Sequence, residues 1–348
     1  MPCSTRSRAS SAPTSFRVAS APASGEDALI ARYFKPVAAD PGAFGLDDDA
    51  AVLKPLGADI VVTTDAIVEG VHFLPDDPPD TVARKALRVN LSDLAAKGAT
   101  PAGFVLTLAL RTADDAWLKP FAGALGEDAK SYLCPLLGGD TVSMPGPLTI
   151  SVTAFGRVPA DKMVRRRGAR RGDRVVVSGT IGDAALGLDI LKGGAVAAAL
   201  AGDEAARQML VGRYRVPQPR NALAAAVRTH ASAAMDVSDG LVGDLTKLCA
   251  ASGVSAAIHA PGIPLSRAAA ALVANGTVGI ESLIAGGDDY EILCTVPEAD
   301  FEAFANDARK AGVAVTPIGA VIAGSAIPSF LDVQGRELVL KRRSWSHF

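Results

Sequence analysis

The chain has 348 residues, enough for two domains of roughly 150 residues each, and its 49% hydrophobic and 21% charged residues form an ordinary globular mix. A formal net charge of −2 excludes nucleic acid as the main partner, because phosphate backbones select strongly basic faces. No apolar run approaches the ~20 residues that a membrane-crossing helix needs, so no membrane partner is expected.

Residues 1–24 carry Arg6, Arg8 and Arg17 among many Ser, Ala and Pro, with no acidic residue before Glu26. That composition fits either an organellar transit peptide or a plain disordered N-terminal extension, and the extension is the expectation adopted. The four cysteines, Cys3, Cys134, Cys249 and Cys294, form no Cys-x-x-Cys motif. They read as reduced thiols, which fits a cytoplasmic location.

From Glu26 onward strand-like and helix-like stretches alternate, the pattern of the α/β class. Residues 59–65 (DIVVTTD) predict a strand. Pro79 opens a helix to Lys97, with Leu87, Leu91 and Leu94 as its apolar stripe and Gly98 at the stop. A strand is expected at 103–111, a helix at 114–133 and a strand at 147–158. The basic, glycine-bearing stretch 165–173 (RRRGARRGD) then marks the division between an N-terminal α/β domain, 25–160, and a C-terminal α/β domain, 165–348. In the second half, strands are expected at 173–179, 233–240 and 290–296. Helices are expected at 181–192, in the Ala-rich run to Ser232, from Leu241 through Leu245 and Leu248, and at 297–312. Ser92-Asp93 and Ser238-Asp239, and Gly-Gly-Asp at 138–140 and 286–288, recur at nearly matched spacing, which hints at duplication.

The informative residues are aspartates. Asp65, Asp140 and Asp236 each follow an apolar stretch, and Asp49, Asp93 and Asp239 join them. In α/β domains ligands gather at the carboxyl ends of strands. A carboxylate there is costly unless it is paired with a cation or hydrogen-bonded. Taken singly, each aspartate serves equally as a turn former or helix cap. Taken together, they suit several Mg²⁺ ions, each holding one or two carboxylates plus substrate phosphates. Such ions neutralise charge on a transferring phosphoryl group. The chain has no Gly-Lys dipeptide, hence no Walker A loop, and no Gly-x-Gly-x-x-Gly, His-Arg-Asp or Asp-Phe-Gly. If phosphates bind, metal-bridged carboxylates and glycine-rich turns must hold them.

Six segments appear in order: LDDDAAV (46–52), VVTTDAIVEGVHFLP (61–75), KALRVNLSDLAAKGATP (85–101), LLGGDTV (136–142), MDVSDGL (235–241) and GGDDYEIL (286–293). Together they resemble the thiamine-monophosphate kinase family, within the superfamily of aminoimidazole ribonucleotide synthetase and selenophosphate synthetase. The resemblance runs from about residue 25 to the C-terminus. It implies a two-domain aminoimidazole ribonucleotide synthetase-like fold and a homodimer paired through its N-terminal domains. It also implies direct in-line transfer from ATP to thiamine monophosphate with several Mg²⁺ and no covalent nucleophile. By that resemblance Asp49, Thr63, Thr64, Asp65, Asp93, Asp140, Asp236 and Asp239 match metal-ligand positions. Gly139, Asp140, Arg166 and Ser238 match ATP-binding positions, and His72, Asp288 and Trp345 match substrate-binding positions, with Phe348 competing for the role of Trp345. The chain departs from the family at Asp47, where Gly is usual, and at Asp288, where Glu is common. The sister activities are disfavoured because Cys3 lies outside the matching region and the chain ends RRSWSHF without a cysteine.

Overall fold

The structure, a computed structural model, describes residues 28–46 and 53–340. The N-terminal extension, Asp47, Asp49, Trp345 and Phe348 lie outside the described residues.

Strands β1 (Ala58–Val68), β2 (Thr100–Leu110), β3 (Leu136–Ser143) and β4 (Thr149–Pro159) form a four-stranded sheet of order β1-β4-β2-β3. Only β2 and β3 run parallel. Helices α1 (Pro79–Ala96) and α2 (Asp115–Ser131) bury Leu87, Leu91, Leu94, Phe121 and Leu125 against Phe104, Leu106, Ile150 and Val152. Pro79 begins α1 where its missing N–H is not needed. At the other end Gly98, at φ +69°, donates to the Ala95 carbonyl and Ala99 donates to Leu94, which satisfies the last carbonyls.

Alternation along β1 sends Val61, Thr63, Asp65 and Ile67 to the α1 side and Val62, Thr64 and Ala66 to the other. That other face is open: Val62 is 57% exposed, and Val142 of β3 is 41% exposed.

The chain crosses at 160–173 to a six-stranded sheet of order β10-β7-β9-β5-β8-β6. Its strands are β5 (Arg174–Ser178), β6 (Ala233–Asp236), β7 (Ser255–His259), β8 (Ile292–Val296), β9 (Val315–Ile322) and β10 (Ser329–Leu331), with only β7 and β10 parallel. Helices α3 (Asp183–Leu191), α4 (Ala195–Ala199), α5 (Glu204–Arg215), α6 (Ala224–His230), α7 (Leu241–Ser252), α8 (Arg267–Ala274), α9 (Ile280–Ile284) and α10 (Phe301–Lys310) accompany it.

Helix α1 belongs to both cores. Its leucines sit in the first, whereas Ala95 and Ala96 pack with Val176, Leu223, Ala234 and Ile292 of the second. Asn221 Nδ2 donates to the Leu91 carbonyl at 3.0 Å, and Lys97 Nζ to the Ala234 carbonyl at 2.8 Å.

The α/β class holds, but both sheets are mostly antiparallel, so they have no shared carboxyl edge where ligands would gather. Asp65 and Asp140 lie inside β1 and β3, and only Asp236 ends its strand. The sequence echo does not correspond to repeated structure either. Ser92-Asp93 is helical while Ser238-Asp239 is a loop, and 138–140 is strand while 286–288 is not.

Candidate active site

The side chains that meet do so in a cleft between β1, α1 and the loops flanking β6 and β8. Thr63 faces α1 and its hydroxyl donates to the Asp93 carboxylate. One turn-face away, Ser92 Oγ donates to Asp236 at 2.7 Å, tying α1 to the end of β6. The next loop is shaped by Asp244, wholly buried in the first turn of α7. Its Oδ2 accepts the backbone N–H groups of Ser238 and Asp239 at 3.0 and 2.9 Å, which curls the loop so that Asp239 faces Asp65. Lys247 holds Asp244 Oδ1 at 2.9 Å and also pairs with Asp239.

These carboxylates act on one another. Asp65 opens to solvent but lies low among protein groups. Loss of hydration, then the charges of Asp93 and Asp239, push its pKa up to about 6. Burial raises Asp236 well above the usual carboxylate range, and Asp93 adds to this against the stabilising Ser92 hydrogen bond. Lys97 is depressed by burial, which Asp236 and Asp93 partly offset, while the nearby Arg166 charge depresses it further. Among the described residues no three acidic, histidine or cysteine side chains converge on one point. Instead Thr63, Ser92 and Lys247 each hold one carboxylate.

The structure does not bring every expected residue into this cleft. Thr64 turns to the open face, where its hydroxyl donates to the Val152 carbonyl at 3.2 Å and accepts from Thr153 at 3.0 Å. Asp140 is farther still. It pairs in register with Thr107, which pairs with Ser151, which pairs with Ala66, so all four share the open face. Strand β3 is also the opposite edge from β1, about 14 Å away by three strand spacings. Position 139, next to Asp140 in the chain, takes glycine because the strands approach closely: a Cβ on Gly139 would sit 1.9 Å from the Leu106 carbonyl oxygen. Ser238 and Arg166 do border the cleft. The Ser238 carbonyl accepts from Asp288 N–H at 2.8 Å, and the exposed Arg166 reaches Lys97 electrostatically.

His72 and Asp288 come together from different sheets. Val68 N–H donates to His72 Nδ1 at 3.0 Å, which places the neutral ring's proton on Nε2. Asp288 adopts φ +69° and Tyr290 φ +50°, left-handed conformations that non-glycine residues occupy only under tertiary constraint. Tyr290 donates to Asp288 Oδ1 at 3.3 Å. Burial, then the charges of Asp288, Asp65 and Asp236, raise the Tyr290 phenol well above its ordinary pKa. Lys85, 1% exposed, lies between them, with Nζ 3.1 Å from Asp288 Oδ2 and 2.8 Å from the His72 carbonyl.

Sequence reasoning missed Lys85, Asp244 and Tyr290. One signal existed: Lys85, Val89, Ser92 and Ala96 recur at helical spacing and are all buried, a second stripe on α1 beside the leucines.

Family models describing the N-terminal and C-terminal domains of AIR synthase related proteins match residues 47–158 and 170–330. The chain is 44% identical over 325 residues to the thiamine-monophosphate kinase of Caulobacter vibrioides, covering 91% of this chain and 89% of that protein. The crystal structure of thiamine-monophosphate kinase from Stenotrophomonas maltophilia K279a superposes with a TM-score of 0.78 at 36% identity, covering 90% of this chain and 96% of that one. The structure of AaThiL complexed with AMPPCP and TMP gives 0.73 at 30% identity, covering 88% and 97%.

Proposed function

Because the chain belongs to the thiamine-monophosphate kinase family, we propose that its carboxylate cleft transfers the γ-phosphoryl group of ATP directly to thiamine monophosphate. The products are ADP and thiamine diphosphate. The observation that carries this reading is that Asp65, Asp93, Asp236 and Asp239 lie near enough to act on one another electrostatically, close to where Lys85 links His72 to Asp288.

The donor set fits Mg²⁺. Carboxylates and the Thr63 hydroxyl are hard oxygen ligands, and burial, then the neighbouring carboxylate charges, raise Asp65 and Asp236 as expected of anions short of countercharge. Asp65, Asp93, Asp236 and Asp239 would hold the ions, with Thr63, Thr64, Asp49 and Asp140 as further ligands. When bound, Mg²⁺ supplies charge neutralisation and alignment of the polyphosphate. The planar guanidinium of Arg166 suits a phosphate fork, with Gly139, Asp140 and Ser238 completing the nucleotide contacts. The acceptor phosphate is mostly doubly ionised at neutral pH, so it needs no general base and attacks in line. His72 and Asp288, with Trp345, bind the acceptor.

A homodimer is part of this reading. Apolar Val62 and Val142 lie on the open sheet face, which suits packing against a second copy. If the twofold axis runs along the strands, the partner's β3 would lie over this β1, and an outward-facing Asp140 would reach the face that carries Thr64, at the sheet edge that Asp65 shares. We also assign residues 25–160 and 165–348 to separate domains and place the enzyme in the cytoplasm. No helix among the described residues is long and apolar enough to cross a membrane. Burial pushes the Cys134, Cys249 and Cys294 thiols up to about 12, 11 and 12, in keeping with unreactive reduced thiols.

The direct test is purified protein with ATP, Mg²⁺ and either thiamine or thiamine monophosphate, followed by identification of products. Thiamine diphosphate should form from the monophosphate, and free thiamine should be a poor acceptor. Efficient phosphorylation of thiamine itself would overturn the assignment.

His72→Asn, which keeps a donor, should raise KM for thiamine monophosphate more than it lowers kcat, with ATP binding little changed. A phosphorylated enzyme trapped from ATP alone, and lost in this variant, would instead make His72 a covalent carrier.

A further inference from the structure

We propose that Lys85 is a positioning residue that locks the two acceptor-binding segments, around His72 and around Asp288, into one geometry. The proposal rests on the reading of His72 and Asp288 as acceptor contacts.

A lysine that is 1% exposed is costly unless its charge is compensated. Here the compensation is divided between the parts of the site. The ammonium has three donors and no acceptor. One reaches Asp288 Oδ2 at 3.1 Å, on the second-sheet side, and another reaches the His72 carbonyl at 2.8 Å, on the first-sheet side. The same nitrogen lies 3.9 Å from the centroid of the Tyr214 ring, a cation–π contact. Tyr214 adds a hydroxyl hydrogen bond of 3.3 Å to that same His72 carbonyl. Two donors thus fix the backbone of the His72 turn.

Asp288 is gripped equally. Lys85 takes one carboxylate oxygen and Tyr290 the other, while its N–H is bonded to Ser238. The pairing has an electrostatic consequence. An unpaired Asp288 would repel an acceptor that carries a phosphate, whereas the Lys85 charge cancels this and leaves the carboxylate a hydrogen-bond acceptor. Because Lys85 stands on α1, which is packed in both cores, it can refer both segments to one rigid element.

The test uses the full chain with ATP and Mg²⁺ and measures KM for thiamine monophosphate and for ATP separately. Lys85→Met keeps length and removes charge. It should raise KM for the acceptor by about 10-fold or more and leave KM for ATP within about twofold. Tyr214→Phe removes only the second donor on His72 and should raise the acceptor KM about two- to threefold without lowering the melting temperature. This milder variant keeps the proposal testable if Lys85→Met folds poorly. Lys85→Met combined with Asp288→Asn should raise the acceptor KM by less than the product of the two single effects, because the two residues are coupled. An unchanged acceptor KM in both single variants, or equal rises for acceptor and ATP with a lowered melting temperature, would overturn the proposal. If His72→Asn and Asp288→Asn also leave the acceptor KM unchanged, the acceptor-site reading itself is at fault. If those two raise it and Lys85→Met does not, only the role of Lys85 falls.

Discussion

Asp65→Asn is expected to lower turnover by about 10²-fold or more, roughly 2.7 kcal/mol of transition-state stabilisation, with the fold intact. Asparagine keeps the size of the side chain and removes one negative charge from the carboxylate cluster. The fold should survive because Asp65 opens to solvent on β1 and is not part of either apolar core. Asp236→Asn should show the same loss with an informative difference. Asp236 is buried and opposed by Asp93, so removing its charge relieves repulsion in the metal-free protein. Its melting temperature without Mg²⁺ should equal or exceed that of the parent, a gain of stability at the expense of function. Turnover at saturating substrates and thermal melts separate the two effects. Near-normal turnover in Asp65→Asn, Asp236→Asn and Asp140→Asn alike would refute the metal assignment.

Asp140→Asn is the second large-effect variant, and its informative use is in a mixture. By itself it should be about as inactive as Asp65→Asn. Mixed in equal amounts with Asp65→Asn protein and allowed to exchange subunits, it should recover about a quarter of parental activity. Asp65 and Asp140 occupy opposite edges and opposite faces of one sheet, so a site using both draws one from each subunit. About half the exchanged dimers are then mixed, and each carries one doubly altered site and one parental site. Recovery that depends on exchange supports the shared site. A mixture no more active than its components, once exchange is verified by mass with one of the two variants isotope-labelled, places Asp140 in the same subunit's site or outside the chemistry.

Much of the fold was legible because hydrophobic periodicity and helix punctuation are local. Pro79, the leucine stripe and Gly98 bound α1 to within a residue of its observed ends. The short strands β7 and β10 carry little alternation over five and three residues, and nothing local announces them. Strand direction was not legible either, since pairing is a long-range choice. The inference that aspartates gather at strand ends therefore failed for Asp65 and Asp140. Residue types at the site were legible from their motifs, but their meeting was not. Lys85 looks like an ordinary surface lysine until its burial between two domains is seen. Asp244 likewise looks like a residue of a helix's first turn, although its carboxylate shapes the loop that carries Asp239.

Many kinases exclude water from ATP by swinging two lobes together about a flexible joint. That route is closed when one helix is part of both lobes. Rotation at α1 would pull Ala95 and Ala96 away from Val176 and Ala234 and break the Asn221 and Lys97 bridges to the second domain. Each buried methyl group so exposed forfeits about 0.8 kcal/mol and each bridge lost adds about 1 kcal/mol, so an opened arrangement would be a minor population. The shared helix thus ties the two lobes into one packed arrangement. Protection of ATP from hydrolysis then falls to loops at the edge of the site, and the enzyme discriminates by fit to a standing frame, without a closing clamp.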